Sequence, residues 1–252
     1  MGDNFDYFKV MIYHKATTTS TNDDARHGDY EHFDTIWAEH QTVGRGQRGH
    51  TWHSAEGDNL TFSVVLTPTF LPAVEQFLLS EVVALALVAT LEEYDIACRI
   101  KWTNDIYAGD RKIAGVLIEH SLAGDTLART IVGIGLNVNQ QHFPDDLPNP
   151  TSMAVERPAT YDREEVLSRF LDNLKRLYTV LEAGNKESVE ELYHTTMYHL
   201  GERHTYAYPT GELFEATIRG VRRSGELRLE HADGTVHEYA FKELEFVLPH
   251  RP

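Results

Sequence analysis

The stretch QTVGRGQRGHTW, residues 41–52, contains Gly44-x-Gly46-x-x-Gly49, the glycine spacing of a dinucleotide-binding turn. Such a turn works only where a strand enters it and a helix leaves it, so that the helix N-terminus meets a pyrophosphate. TIWAEHQ, residues 35–41, reads as the entering strand. The glycines are followed by the polar, turn-forming HTWHSAEGDN and then by LTFSVVL, residues 60–66, a second apolar strand. A glycine loop with a strand on either side excludes the Rossmann fold, so the loop needs another purpose.

The flanking segments define the rest of the fold. YFKVMIYH (7–14) suits a strand, and TTTSTNDDARHG (17–28) offers the hydroxyl, Asn and Asp residues that cap helices. Pro72 is expected to open a long helix to about Tyr94, because proline in a first turn gives up no useful N–H. CRIKWTNDIYA (98–108) and KIAGVLIEHSL (112–122) read as two strands joined through a hairpin turn at Gly109-Asp110-Arg111. LAGDTL (122–127) turns the chain into ARTIVGIGLNVN (128–139), and the Pro-, Asn- and Asp-rich residues 139–152 read as loop.

Val166, Leu167, Phe170, Leu171, Leu174, Leu177, Tyr178 and Leu181 recur at helical spacing in a segment that begins near Asp162 and ends at Gly184. A shorter helix is expected over roughly 186–199. From about Gly201 the texture changes to short strands separated by PTGE, RRSGE and HADGT, the pattern of a small barrel. A domain boundary near residue 200 follows, dividing the chain into 1–200 and 201–252. The fold class is α+β.

A formal net charge of −16 opposes nucleic-acid binding, which draws most of its affinity from Lys and Arg. None of the 14 histidines falls into a His-Glu-x-x-His or paired Cys/His pattern, so no metal site is expected. The longest apolar run, FLLSEVVALALVATL, carries Glu81 and reads as too short for a bilayer and suited to a helix packed on a sheet. MGDNFDYFKVMIYHK lacks the features of a signal peptide. Cys98, the single cysteine, excludes an internal disulfide and agrees with a reducing, cytoplasmic location.

Five motifs are weak singly and specific in combination: TSTND (19–23), GRGQRG followed by Trp52, KWTND (101–105), DRKIAG (110–115) and GIGLNVN (133–139). In this order they resemble the catalytic domain of biotin protein ligases, or biotin–[acetyl-CoA-carboxylase] ligases. The pattern there runs as an S/T-T-N turn, Q-x-x-G-R-G-R-x-G-R-x-W, K-W-P-N-D, R-K-x-x-G and G-x-G-x-N. The motifs span about residues 10–140, and a small C-terminal barrel is also a property of that family. The resemblance implies a class II aminoacyl-tRNA synthetase-like catalytic domain, with a mixed sheet and flanking helices, plus a Src-homology-3-like β-barrel.

It also implies a reaction. A carboxylate is a poor acyl donor to an amine and must first be activated. Biotin attacks the α-phosphate of ATP to give biotinyl-5′-adenylate, and a lysine of a biotin carboxyl carrier domain then displaces AMP. Two anions must meet, so positioning and cationic stabilisation replace a nucleophilic side chain. Arg45, Arg48 and Lys112 are the available cations, and the loop glycines let backbone N–H groups approach anionic oxygens.

By resemblance, Ser20, Thr21, Asn22 and Gln41 would bind biotin together with Gly44, Arg45, Gly46, Gln47, Lys112 and Gly115. Arg48, Trp52, Asn59, Asn104, Lys112 and Asn137 would bind ATP, with Trp52 packed on adenine; Trp102 is expected in the core. If the strands around 108–111 pair, Asp105 lies near Lys112 and is placed to deprotonate or orient the acceptor amine. The other reading of Asp105 is a structural partner for Lys112 or Lys101. Mg²⁺ is expected with ATP, held mainly by phosphate oxygens and water. The acceptor is a carrier-domain lysine; nucleic acid and membrane are not expected as partners, and the chain would act as a monomer or homodimer.

The chain departs from the pattern at Gln47 and His50, each in place of an arginine, and at Thr103 in place of proline. YAFKELEFVL also lacks the Gly-Glu ending common in the family. With no room for a preceding winged helix, a ligase without repressor activity is expected. Two rivals are a lipoate–protein ligase or octanoyltransferase, against which the Arg/Gly loop and Trp52 speak, and a non-enzymatic biotin sensor, which only Gln47 favours.

Overall fold

The structure, a computed structural model, describes residues 10–47 and 51–248. Strand β1 (Ile12–Thr18), helix α1 (Thr21–His27), β2 (Thr35–Gln41), β3 (Leu60–Leu66), helix α2 (Phe77–Glu92), β4 (Arg99–Lys101), β5 (Asp105–Ala108), β6 (Arg111–Ala123) and β7 (Thr126–Leu136) come first. The strands form one seven-stranded sheet in the order β1-β2-β3-β7-β6-β5-β4. Only β1 and β2 run parallel, with α1 as their crossover; every other neighbouring pair is antiparallel. Helices α3 (Met153–Glu156), α4 (Arg163–Glu182) and α5 (Lys186–Thr196) follow.

The period of two along a strand decides what each face of the sheet is for. Phe62, Val64, Leu66, Val132 and Ile134 belong to the main core with α2, α4 and α5. Their alternates Ile36, Val65 and Ile131 pack with Ala25 of α1 in a small separate cluster. On the α1 side the same alternation brings up Ser63, Gly115, Leu117, Gly133 and Gly135, because Gly115 pairs Gly135, and Gly133 pairs both Leu117 and Ser63. Small residues there leave an open floor beside α1.

Helix α2 is apolar nearly all round and accordingly enclosed, with Phe77 to Leu91 buried except Ser80 and Ala89. Together with the turn before it, the span Ala73–Glu92 is long and apolar enough by composition to cross a bilayer, but 72% of its most apolar window is buried inside the protein. Burial, rather than the shortness expected of the run, therefore identifies it as a core helix. Pro72 does not lie in the α-helix; it precedes a single 3-10 turn, Ala73–Glu75, and α2 starts at Phe77. The stripe expected on α4 is buried in full. Asp162 caps that helix by accepting from the Glu164 and Glu165 N–H groups, and Gly184 ends it at φ 86°.

Further differences have local causes. CRIKWTNDIYA is not one strand: the chain reverses at Trp102–Asn104, and Lys101 pairs antiparallel with Asp105. The Trp102–Thr103 peptide bond is cis. In the described residues β1 begins at Ile12 and continues through Thr18, taking in hydroxyl residues expected to belong to the turn. Residues 1–9 lie outside the described chain, so the earlier half of the strand expected over 7–14 is not seen. Ser20 occupies the N-cap of α1 without making a side-chain cap bond. Helix α5 stops at Thr196, and the short α3 follows the expected 139–152 loop.

The remaining strands, β8 (Arg203–Ala207), β9 (Leu213–Val221), β10 (Leu227–His231), β11 (Val236–Tyr239) and β12 (Glu245–Phe246), make a separate antiparallel sheet ordered β11-β10-β9-β8-β12. Its inner face, with Tyr206, Ile218, Leu227 and Leu229, joins the main core. Trp102 is buried there as expected, and its indole N–H donates to the Gly225 carbonyl at 2.9 Å.

Candidate active site

A cavity of about 240 Å³ opens on the α1 side of the large sheet. Ser20, Thr21, Asn22, Gln41, Arg45, Gly46, Gln47, Trp52, Asn104, Asp105, Lys112 and Gly115 all line it, so four separated sequence motifs converge on one space. Gly133 and Gly135 complete the floor. A Cβ on Gly133 would stand 2.1 Å from Asn22 Oδ1, and one on Gly135 would stand 2.1 Å from Trp52 Cε2. Any larger residue there would expel the side chains that shape the cavity.

One end is a nest of uncharged hydrogen-bonding side chains backed by the Glu119 carboxylate. Gln41 Oε1 accepts from the Thr21 N–H at 2.8 Å and lies 3.3 Å from the Thr21 hydroxyl. Ser63 Oγ lies 2.7 Å from Thr21 Oγ1 and 2.6 Å from Asn22 Oδ1, and Asn22 donates to Glu119 at 2.8 Å. These donors and acceptors hold one another in fixed orientations, as recognition of a small polar ring requires.

The other end is charged. Lys112 Nζ lies 2.8 Å from Asp105 Oδ1. The register shift between Ile106 and Tyr107, where Asp105 pairs Gly115 but Tyr107 pairs Lys112, brings the two side chains together. Lys112 Nζ also stands 5.6 Å from the Trp52 ring centre, in reach of a cation–π contact. Lys101 lies beside them, its ammonium 4.5 Å from the Phe246 ring centre and 5.5 Å from that of Tyr107. Burial among these rings holds the Lys101 pKa below the ordinary lysine range.

The glycine loop folds back on itself. Arg45 bridges Thr51, and Trp52 N–H donates to the Gly44 carbonyl at 3.1 Å. Gly44 does not line the cavity; its role is close approach, since a Cβ there would meet Trp52 O at 2.6 Å. Arg45, expected as an available cation, is already paired: its Nη2 lies 2.9 Å from Asp23 and 3.0 Å from Glu119. Arg48 and His50 lie outside the described residues.

Asn59 and Asn137 are not brought to the cavity. Asn59 donates to Gln140 at 2.6 Å and accepts from Val138 N–H, and Asn137 donates to the Thr151 carbonyl at 2.8 Å. Both are buried and tie the loop after β7 to its surroundings. Asn104 does line the cavity, although its amide donates to the Val116 carbonyl and fixes the turn after β4.

Sequence reasoning missed Lys101, Ser63, Glu119 and Phe241. Ser63 had a signal, a lone hydroxyl within an apolar strand. Phe241 lines the cavity from a turn of the C-terminal sheet, 6.0 Å from Trp102 by ring centres, and nothing local predicts that reach.

The profile of the Biotin/lipoate A/B protein ligase family matches residues 10–137, which hold four of the five motifs whole and the fifth through Asn137. The chain belongs to this family. Among characterised members, the bifunctional ligase/repressor BirA of Bacillus subtilis is 29% identical over 236 residues, 91% of this chain and 72% of that protein. The biotin–[acetyl-CoA-carboxylase] ligase of Mycobacterium tuberculosis is 30% identical, over 88% of this chain and 84% of that one. The biotin protein ligase of Aquifex aeolicus, solved in complex with biotin and ATP, superposes with a TM-score of 0.79 at 26% identity, covering 96% of this chain and 100% of that one. The architecture, large mixed sheet and small C-terminal sheet together, is that of biotin protein ligases.

Proposed function

We propose that this cavity joins biotin to ATP and then passes the biotinyl group to a lysine of a biotin carboxyl carrier domain of the acetyl-CoA carboxylase type. The observation that carries the proposal is a single cavity with a neutral nest of Thr21, Asn22 and Gln41 at one end and Lys112, Asp105 and Trp52 at the other. Biotin has the same polarity, a neutral ureido ring separated by an apolar chain from a carboxylate.

In the first step the biotin carboxylate attacks the α-phosphorus, and pyrophosphate leaves with the electron pair of the broken P–O bond. Lys112 is placed to neutralise the two anions as they meet, and the backbone of the glycine loop supplies N–H groups. Arg45, paired with Asp23 and Glu119, acts as an anchor that holds this loop against α1. In the second step the acceptor amine attacks the acyl carbon and AMP leaves. Once Lys112 turns to phosphate, Asp105 is released to take the amine proton. Arg48 is assigned to the nucleotide by its place in the motif. Trp52, on Gly115 and Gly135, offers an aromatic face to a base.

Asp105, already paired with Lys112, is the only carboxylate lining the cavity among the described residues. That donor set fits Mg²⁺ delivered with ATP and held mostly by phosphate oxygens and water.

We also assign 201–252 as a separate small barrel domain on a catalytic domain of residues 1–200, supported by the two sheets sharing no continuous ladder. A cytoplasmic location is supported by Cys98, a buried free thiol whose pKa burial pushes up to about 12. The net charge of −16 supports an enzyme that does not bind DNA.

The experiment is incubation of the chain with ATP, biotin and a biotin carboxyl carrier domain. Covalent biotin on the carrier lysine is expected; no labelling under conditions that saturate both substrates removes the proposal. Biotin, and not lipoate, should raise the melting midpoint, since only a ligand of the folded state does so.

A further inference from the structure

Away from the cavity, a second group of ligating side chains gathers where the two sheets meet. His199 and Glu202 lie in the turn between α5 and β8, and His204 lies on β8. Their candidate ligand atoms all fall within 4.8 Å of one another. His199 Nδ1 is 2.8 Å and His204 Nε2 is 2.9 Å from the same oxygen, Glu202 Oε2. The two imidazoles stack with ring centres 3.5 Å apart at 28°, and the Tyr198 ring lies 3.6 Å from that of His199, tilted by 47°.

We propose that His199, Glu202 and His204 form a divalent-cation site suited to Zn²⁺. Two imidazole nitrogens and one carboxylate oxygen are a three-ligand set that Zn²⁺ accepts in a tetrahedron, water taking the fourth position. Bonds of about 2.0–2.1 Å imply ligand–ligand separations of roughly 3.3 Å. The observed 2.8 and 2.9 Å contacts need to open by only a few tenths of an ångström. Both imidazoles already meet the same carboxylate oxygen, and the stacking of their rings holds the two nitrogens side by side.

The surroundings support the ligating form. Glu202 gathers both imidazoles at one carboxylate oxygen. Tyr198 hydroxyl is held 2.5 Å from Asp110 Oδ1, which anchors the stack to the turn between β5 and β6. The spacing His-x-x-Glu-x-His matches no familiar motif, so the sequence gives no warning of the cluster.

Position defines the consequence. Met197 bridges Ile100 of the large sheet, and Leu200 bridges Ile218 of the small one, so the ligands flank the crossing between them. A cation would staple the turn to β8 and stiffen that crossing, a structural role separate from the ligase chemistry.

The test is titration of the metal-stripped full chain with ZnCl2 by calorimetry, and with Co²⁺ by visible absorption, alongside Glu202→Gln, His204→Gln and the double variant. One equivalent is expected to bind, with a tetrahedral Co²⁺ spectrum and a Zn²⁺-dependent rise in melting midpoint. Each single variant should weaken binding by at least about tenfold, and the double variant should abolish it. Retention of the biotin-induced melting shift certifies that the variants are folded. Failure to saturate at one equivalent, or equal affinity in the folded double variant, would place Zn²⁺ on other histidines or nowhere and overturn the site.

Discussion

Lys112 Nζ and Asp105 Oδ1 stand 2.8 Å apart at the charged end of the cavity, each about 30% exposed. An ion pair this wet adds little to stability. Its value is functional: the pair keeps a cation and a carboxylate at one point, ready to serve successive steps. Asp105→Asn should therefore leave adenylate formation within a few-fold of wild type while slowing transfer to the carrier lysine by about 100-fold or more. Single-turnover assays that follow each step separately read this directly, and equal rates for both steps in the variant would exclude Asp105 as the proton acceptor.

Gln47 lines the cavity where the family pattern places arginine. A neutral amide can still donate, but charge-assisted bonds to phosphate are roughly twice as strong. Gln47→Arg should slow release of biotinyl-adenylate by about 5- to 150-fold, corresponding to roughly 1–3 kcal/mol. Stopped-flow release after adenylate is formed on the enzyme is the measurement, and unchanged or faster release would show that Gln47 does not grip the intermediate.

What could be read from the chain, and what could not, divides along the range of the interactions. The α4 stripe, its end at Gly184 and the hairpin at Gly109 depend on neighbours a few residues away, and the structure reproduces all three. The Lys112–Asp105 proximity was deducible because a short hairpin joins them. Reversal of the chain within KWTND escaped notice because alternation looks the same in one strand or two. Asn59 and Asn137 were placed at the nucleotide by resemblance, yet their amides are engaged by Gln140, Val138 and Thr151 from distant segments. Arg45 reads as an available cation because its partners, Asp23 and Glu119, meet it only after the sheet has formed. Long-range pairing of polar groups leaves no periodic trace.

The glycine floor makes a separate prediction. Gly135 pairs with Gly115 across β6 and β7, and Trp52 lies on both. Gly135→Ala places a methyl carbon where Trp52 Cε2 now stands, 2.1 Å away, so the indole and the glycine loop must lift. Alanine fits the strand backbone, so the melting midpoint should change little. KM for ATP should rise by about tenfold or more, and steady-state kinetics with varied ATP test the expectation. An unchanged KM would mean that Trp52 is not part of the nucleotide's surroundings.

Glu81 gives the chain a pH-dependent weakness in its core. It lies on α2 at 1% exposure, with Oε2 buried and lacking a hydrogen-bond partner among the described residues. Burial raises its pKa to about 8, with nearby Glu190 adding to the effect and Arg223 opposing it. The folded protein therefore binds this proton more tightly than the unfolded chain, in which a glutamate titrates near 4.3. Between about pH 4.5 and 8 the folded state holds a proton that the unfolded state has lost, so stability contributed by this group is full below that window and declines as pH rises through it. The loss across the window is on the order of a few kcal/mol. Glu81→Gln keeps the shape and removes the titration, so its melting midpoint should exceed that of wild type at pH 8, with the gap closing toward pH 5. Thermal melts of both proteins across that range decide the matter; parallel curves would mean that Glu81 gains a compensating partner when it ionises.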